Sequence, residues 1–244
     1  AEARDMIREF LREPSAVERT AILAELRDRE GASVENVARI LKLMKPPLDV
    51  PDGARRGPGQ FEITIPGLSG HNDVRYLVQL PPEYDPLRRY PVVMGLTDGG
   101  LPAEAELAFW AGDPRDDGEP RGQATRHGYI TIAVDWLEPK QIACEYSARE
   151  HQAVLGSLRD AMRRFSIDSD RVFLAGHGLG GNLAWDIALA HPDLWAGVVP
   201  IVALADRYCL RYNKNAEYVP WYFVAGELDG DKLATNAAQL DRYV

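Results

Sequence analysis

The sequence predicts an α/β protein: a mainly parallel sheet with helices on both faces, antiparallel strands at its start, and a short helical segment ahead of it. Three observations carry this prediction. The first 45 residues show only helical periodicity. Residues 60–80 then alternate apolar and polar side chains, the mark of half-buried antiparallel strands. Beyond Pro81-Pro82, short apolar runs alternate with helical patterns, which implies parallel strands linked by crossover helices.

Taken in order, Ala3 to Leu11 carries the first helical pattern, and Pro14 stops it. Ser15-Ala-Val-Glu18 has capping-box spacing, and Val17, Ile22, Leu23 and Leu26 share one face of a second helix before Gly31. Ser33 is placed to cap a third helix, with Val34, Val37, Ile40, Leu41 and Met44 inward and Pro46-Pro47 at its end. Residues 1–45 therefore read as a helical segment. Residues 46–59, rich in proline, glycine and charge, read as a linker, and 60–244 as the main domain. There, Phe61 to Ile65 and Asp73 to Leu80 flank Gly70-His-Asn as an antiparallel pair. Pro91 to Leu96, Tyr129 to Val134, Arg171 to Ala175, Ala196 to Val202 and Trp221 to Ala225 read as buried parallel strands. Helical patterns from Ser147 to Phe165 and from Gly181 to Ala190 lie between them.

Composition narrows the function classes. Thirty-seven acids stand against 28 lysines and arginines, a net charge of -9, which argues against nucleic acid as a partner. Arg55-Arg56 and Arg88-Arg89 read as solvated loop charges. No apolar run reaches the roughly 18–20 residues that span a bilayer, and the opening AEARDMIREFLREPS does not resemble a secretory signal. Compartment and oligomeric state stay open. Cys144 and Cys209 lack metal-ligand spacing and read as unpaired thiols; no metal and no cofactor is expected.

The most informative stretch is Arg171-Val-Phe-Leu-Ala-Gly-His-Gly-Leu-Gly-Gly-Asn-Leu-Ala-Trp185, a strand running through a glycine-rich turn into a helix. That is the setting of a nucleophile elbow, where small residues flank a central side chain because strand and helix approach closely. Gly176 and Gly180 fill the flanking positions, and Gly178 stands at the centre. A Rossmann-type phosphate loop also joins strand, glycines and helix, but His177-Gly-Leu-Gly does not complete the dinucleotide spacing.

From about Phe61 to the C-terminus the chain resembles the α/β-hydrolase superfamily, near its esterase D, dienelactone-hydrolase-like and prolyl-oligopeptidase-like branches. The elbow carries this resemblance together with three other stretches: Tyr76-Leu-Val-Gln-Leu-Pro-Pro-Glu-Tyr-Asp-Pro86 before Tyr90-Pro-Val-Val, Ile167-Asp-Ser-Asp-Arg-Val-Phe-Leu174, and His191-Pro-Asp-Leu-Trp-Ala-Gly-Val-Val-Pro-Ile201. In active relatives the central elbow residue is a serine that attacks an ester or amide carbonyl. Glycine cannot perform that step.

The resemblance implies two oxyanion-hole N–H groups, one from Leu179 and one from Leu96-Thr-Asp-Gly-Gly100, where relatives commonly carry His-Gly-Gly. Asp98 departs from that pattern, and a carboxylate there opposes an oxyanion unless it points away. Asp98 and Gly99 read equally well as a tight turn at a strand end. Asp229 matches the triad acid, with Asp231 its neighbour and Asp206 a second location. Each also reads as an ordinary loop carboxylate. No histidine follows His191, so a triad histidine is not visible, and the domain is expected to stop short of its last strand. His71, His127, His151 and His191 lie elsewhere, and His177 is expected to pack the elbow. Cys144 and Cys209 are poor substitute nucleophiles because neither sits in a strand-to-helix turn. Of the aromatics Trp110, Trp136, Tyr146, Trp185, Tyr208 and Tyr212, the favoured pocket candidates are Trp136 and Tyr208.

Three functional readings follow. The first is a hydrolase homologue without serine-hydrolase activity that keeps a cleft for a small ester, peptide or glycan-like ligand. The second is an active carboxylesterase or peptidase represented by a nucleophile variant or fragment. The third is a non-catalytic interaction module.

Overall fold

The computed structural model describes residues 2–29, 31–115, 118–204 and 212–243. Three helices open the chain: α1 (Glu2–Arg12), α2 (Ala16–Arg27) and α3 (Val34–Leu43). Ile7, Leu26 and Met44 form their small core, with Leu11, Val37 and Ile40 packed against it. Ser15 caps α2 by accepting the Glu18 N–H at 3.4 Å. The Ser15 N–H itself bonds to Glu13 at 2.8 Å, so the expected capping box is only half formed. Val17 and Val34, expected inside, are 77% and 80% exposed, and Leu23 and Leu41 also face solvent. Both valines lie in the first turn of their helices, and helical side chains lean toward the N-terminus. There they overhang the end of a core too small to reach them.

The expected linker is structured. It contains β1 (Arg55–Gly57), antiparallel to β2 (Gln60–Ile65), and Ala54 is buried in the main core. Leu48 N–H donates to Arg163 O at 2.8 Å, and Arg163 donates to Leu11 O at 2.8 Å, tying this stretch and α1 to the main body. Proline and glycine here shape a path across the surface.

The sheet continues with β3 (Val74–Gln79), β4 (Tyr90–Leu96), β5 (Ile130–Val134), β6 (Ile167–His177) and β7 (Gly197–Ile201), in the order β1-β2-β3-β5-β4-β6-β7. The first pairings are antiparallel, including β3 with β5, and β5-β4-β6-β7 are parallel. Alternation along β3 explains the two covered faces. Tyr76 and Val78 join the main core with Ala153, Val154 and Leu158 of α6 (Ala148–Arg164). Leu77 turns the other way, onto Ala103 and Leu107 of α4 (Ala103–Ala111). A short α5 (Gln123–Arg126) precedes β5, and α7 (Leu179–Ala190) leaves β6 and packs on β7. The strand expected over Trp221 to Ala225 is reduced to two parallel bridges beside β7, Val198 with Trp221 and Ile201 with Val224. Trp221 instead packs with Trp185 and Phe223 as an aromatic cluster, and α8 (Lys232–Tyr243) follows.

Candidate functional site at the strand ends

The parallel strands β4, β6 and β7 all end on one edge of the sheet, and their loops converge there. That edge, at a reversal of strand order, is where α/β sheets build sites. β6 breaks directly into α7 through Gly178, whose φ is +51° and ψ -114°. A side chain is strained in that conformation, typically by about 1–3 kcal/mol, and glycine avoids it. The flanking glycines serve close approach: a Cβ on Gly176 would lie 2.3 Å from Gly180 O, and one on Gly180 2.2 Å from Leu96 O. Helix and strands therefore touch backbone to backbone.

Asp98, on the loop after β4, reaches across to this turn. Its Oδ1 accepts the Leu179 N–H and the Gly99 N–H, each at 2.8 Å. A Cβ on Gly178 would meet the same carboxylate, 2.2 Å from Oδ1 and 2.3 Å from Cγ. Asp98 thus points inward, and it occupies both the N–H pair and the volume of a side chain at 178.

A cleft of about 330 Å³ opens over this point, lined by Asp98, Glu106, Phe109, His177, Gly178 and Lys232 among others. Glu106 on α4 is buried, and accepts Trp110 Nε1–H at 2.8 Å and the His177 Nδ1 contact at 2.9 Å. Gly95 makes room for it, since a Cβ there would lie 2.4 Å from Glu106 Cγ. The Glu106 hydrogen bond raises the His177 pKa above its usual 6.5, against partial burial, and the charge of Asp98 adds to the rise. Phe109 meets the His177 ring edge-on, with centroids 4.5 Å apart. Val202, also in the lining, has φ +54°, an uncommon conformation for a β-branched residue. Lys232 donates to Val202 O at 3.1 Å.

Other expected residues are placed elsewhere. Asp229 accepts the Gly226 N–H and closes its own turn, and among the described residues no histidine bonds to it. Asp231 is exposed at the start of α8. Trp136 is fully buried, with Nε1–H on Thr97 O at 3.1 Å, and forms part of the floor of a neighbouring cleft. His71 contacts Glu138, and His151 contacts the buried Asp186, each at 2.9 or 2.8 Å respectively. Cys144 packs against the main core. Asp206, Tyr208 and Cys209 lie outside the described residues.

Sequence reasoning did not single out Glu106, Phe109 or Lys232. The one local signal was Gly95, a glycine inside an otherwise bulky strand, which marks a close approach by another group. Among the described residues, no three or more His, Cys, Asp or Glu side chains are grouped to hold a metal ion. Among them, too, no helix is long and apolar enough to cross a membrane.

Comparison with known proteins bears on the fold. No protein-family model and no curated protein matches the chain. Solved structures do. A thermostable esterase superposes with TM-score 0.57 at 16% identity, over 76% of this chain and 52% of its own. A ferulic acid esterase gives TM-score 0.57 at 13% identity, over 75% of this chain and 86% of its own. The chain has an α/β-hydrolase fold. It spans about half the length of the thermostable esterase. Within an α/β-hydrolase fold, the turn at Gly178 and the loop at Asp98 sit where strand ends meet.

Proposed function

We propose that this chain is a hydrolase-fold protein without serine-hydrolase turnover, whose cleft over Gly178 serves to bind a small ligand. The carrying observation is the Asp98 carboxylate seated on the Leu179 and Gly99 N–H groups, in the volume a side chain at 178 would need. In this reading Gly178 stands at the nucleophile position and Leu179 supplies an oxyanion-hole donor.

Two losses then reinforce each other. With no hydroxyl at 178, nothing there attacks a carbonyl. With Asp98 on the N–H pair, a substrate carbonyl must displace charge-assisted hydrogen bonds worth about 1.5–3 kcal/mol each. A developing oxyanion would also meet a negative charge in place of its donors, whose loss typically costs about 10²–10³ in rate apiece. Asp229, engaged in its own turn, supports this reading too.

The test is p-nitrophenyl acetate hydrolysis by the wild type, Gly178→Ser, Asp98→Gly and the double variant. Wild type and Gly178→Ser are expected to match the uncatalysed rate, and only the double variant to rise slightly above it. Saturable turnover by the wild type, or strong activity from Gly178→Ser alone, would overturn the proposal.

A further inference from the structure

Arg149, the second residue of α6, is a buried cation with donors to spare. It is 8% exposed, and its one hydrogen bond goes to a neutral amide, Gln141 Oε1, at 2.7 Å. Among the described residues no carboxylate lies within ion-pair distance of it. Carboxylates reach it only indirectly: Glu150 through the shared Gln141 amide, and Glu138 through space, its carboxyl held below the usual range by His71 and in part by Arg149. The Glu150 oxygens themselves accept from Gln141, the Glu145 N–H, and the Ser147 N–H and hydroxyl, and make no direct bond to the guanidinium, whose remaining donors are unspent.

The guanidinium faces a cavity. Arg149 lines a cleft of about 410 Å³ at the carboxyl ends of β4 and β5 and a second of about 540 Å³ beside it. The two share Lys140 and are separated by the loop that Gln141 pins to α6. The acids on these walls are committed: Asp135 to Arg75 at 2.5 Å, and Glu138 to His71 at 2.9 Å. Arg75 is in turn spent on Glu104 and Asp135. Apolar side chains at the rim face solvent, with Ile142 88% exposed and Leu101 56% exposed.

We propose that Arg149 anchors the carboxylate of a small organic acid with an apolar tail, which lies in these clefts. A guanidinium fork matches one carboxylate in two parallel hydrogen bonds. The exposed Lys140 adds long-range attraction, and the apolar rim covers the tail. A single negative charge suits the site better than a phosphate dianion, because Asp73, Asp135 and Glu138 line the same space. The first of these clefts adjoins the one over Gly178, sharing Thr97 and Leu101 with it, but Arg149 and Lys140 lie outside that lining, and the proposal stands whether or not the chain hydrolyses esters.

The experiment is isothermal titration of the full chain with octanoate, octanamide and inorganic phosphate. Variants Arg149→Gln, Arg149→Lys and Lys140→Gln are carried in parallel, with folding checked by circular dichroism. Octanoate is expected to bind one to one, with octanamide and phosphate at least about tenfold weaker. Arg149→Gln should lose at least about tenfold in octanoate affinity, Arg149→Lys less, and Lys140→Gln only a few-fold. If both Arg149 variants fail to fold, the amide comparison and Lys140→Gln decide. Octanoate that does not bind, or binds no better than octanamide or phosphate, overturns the proposal, as does full affinity in folded Arg149→Gln.

Discussion

A side chain at 178 and the Asp98 carboxylate compete for one volume, because a Cβ there would come within 2.2 Å of Oδ1. Asp98 has a short side chain and can swing aside, but only by giving up its bonds to Leu179 and Gly99. The departures at the two loops are therefore sterically coupled. Gly178→Ala should cost more than the backbone strain of about 1–3 kcal/mol alone, and Asp98→Gly should return part of that cost. A double-mutant cycle in urea is expected to show a coupling of at least about 1 kcal/mol. Additive effects would refute the coupling. His177 gives a second prediction at this scale. Its pKa is raised by Glu106, so the stabilisation is fully present below the unfolded value of 6.5 and fades as pH rises through the higher folded value. Nuclear magnetic resonance titration should put His177 above 6.5 in the wild type and lower in Glu106→Gln, whose stability deficit should shrink in alkali. In the sequence, the strand–glycine–helix pattern singled out Gly178, and the resemblance to α/β-hydrolases pointed to Leu179 and Asp98 beside it. The sequence could not place Glu106: a mid-helix acid meets His177, 71 positions further along the chain, only after the intervening chain has folded.

Helix α6 is anchored at its N-terminus by side chains. Ser147 and Glu150 form a reciprocal capping box, and Glu150, fully buried, also holds Gln141 and the Glu145 N–H. Glu150→Ala leaves several buried donors without an acceptor and should cost about 2–4 kcal/mol, read as a lower urea midpoint at unchanged slope. A loss below about 0.5 kcal/mol would mean water replaces the carboxylate at little cost. Strands and long helices were legible because burial on both faces writes continuous apolar runs. The N-terminal helices were only half legible. Periodicity identified Leu26, Val37, Ile40 and Met44, but it could not tell that Val17 and Val34, in first turns, overhang a short core. The run from Trp221 looked like a strand because aromatic and β-branched residues favour both strands and aromatic clusters, and packing on Trp185 took precedence.

Across the whole molecule, strand order gathers Asp98, Gly178 and Val202 at one edge, although they come from three separate loops. The sequence implied that edge through its alternation of strands and helices, and the esterase structures share the fold that creates it. What the sequence did not disclose is the direction of the Asp98 side chain, since a turn aspartate points in or out according to which N–H groups its neighbours leave unspent. The reading that depends on that direction is the loss of serine-hydrolase chemistry by a chain that keeps the scaffold. Fluorophosphonate treatment of the wild-type chain, followed by intact mass, tests it most directly, because the reagent needs an activated nucleophile and no particular substrate. The expected spectrum is that of the unmodified protein; a stoichiometric adduct on a single residue would contradict the account.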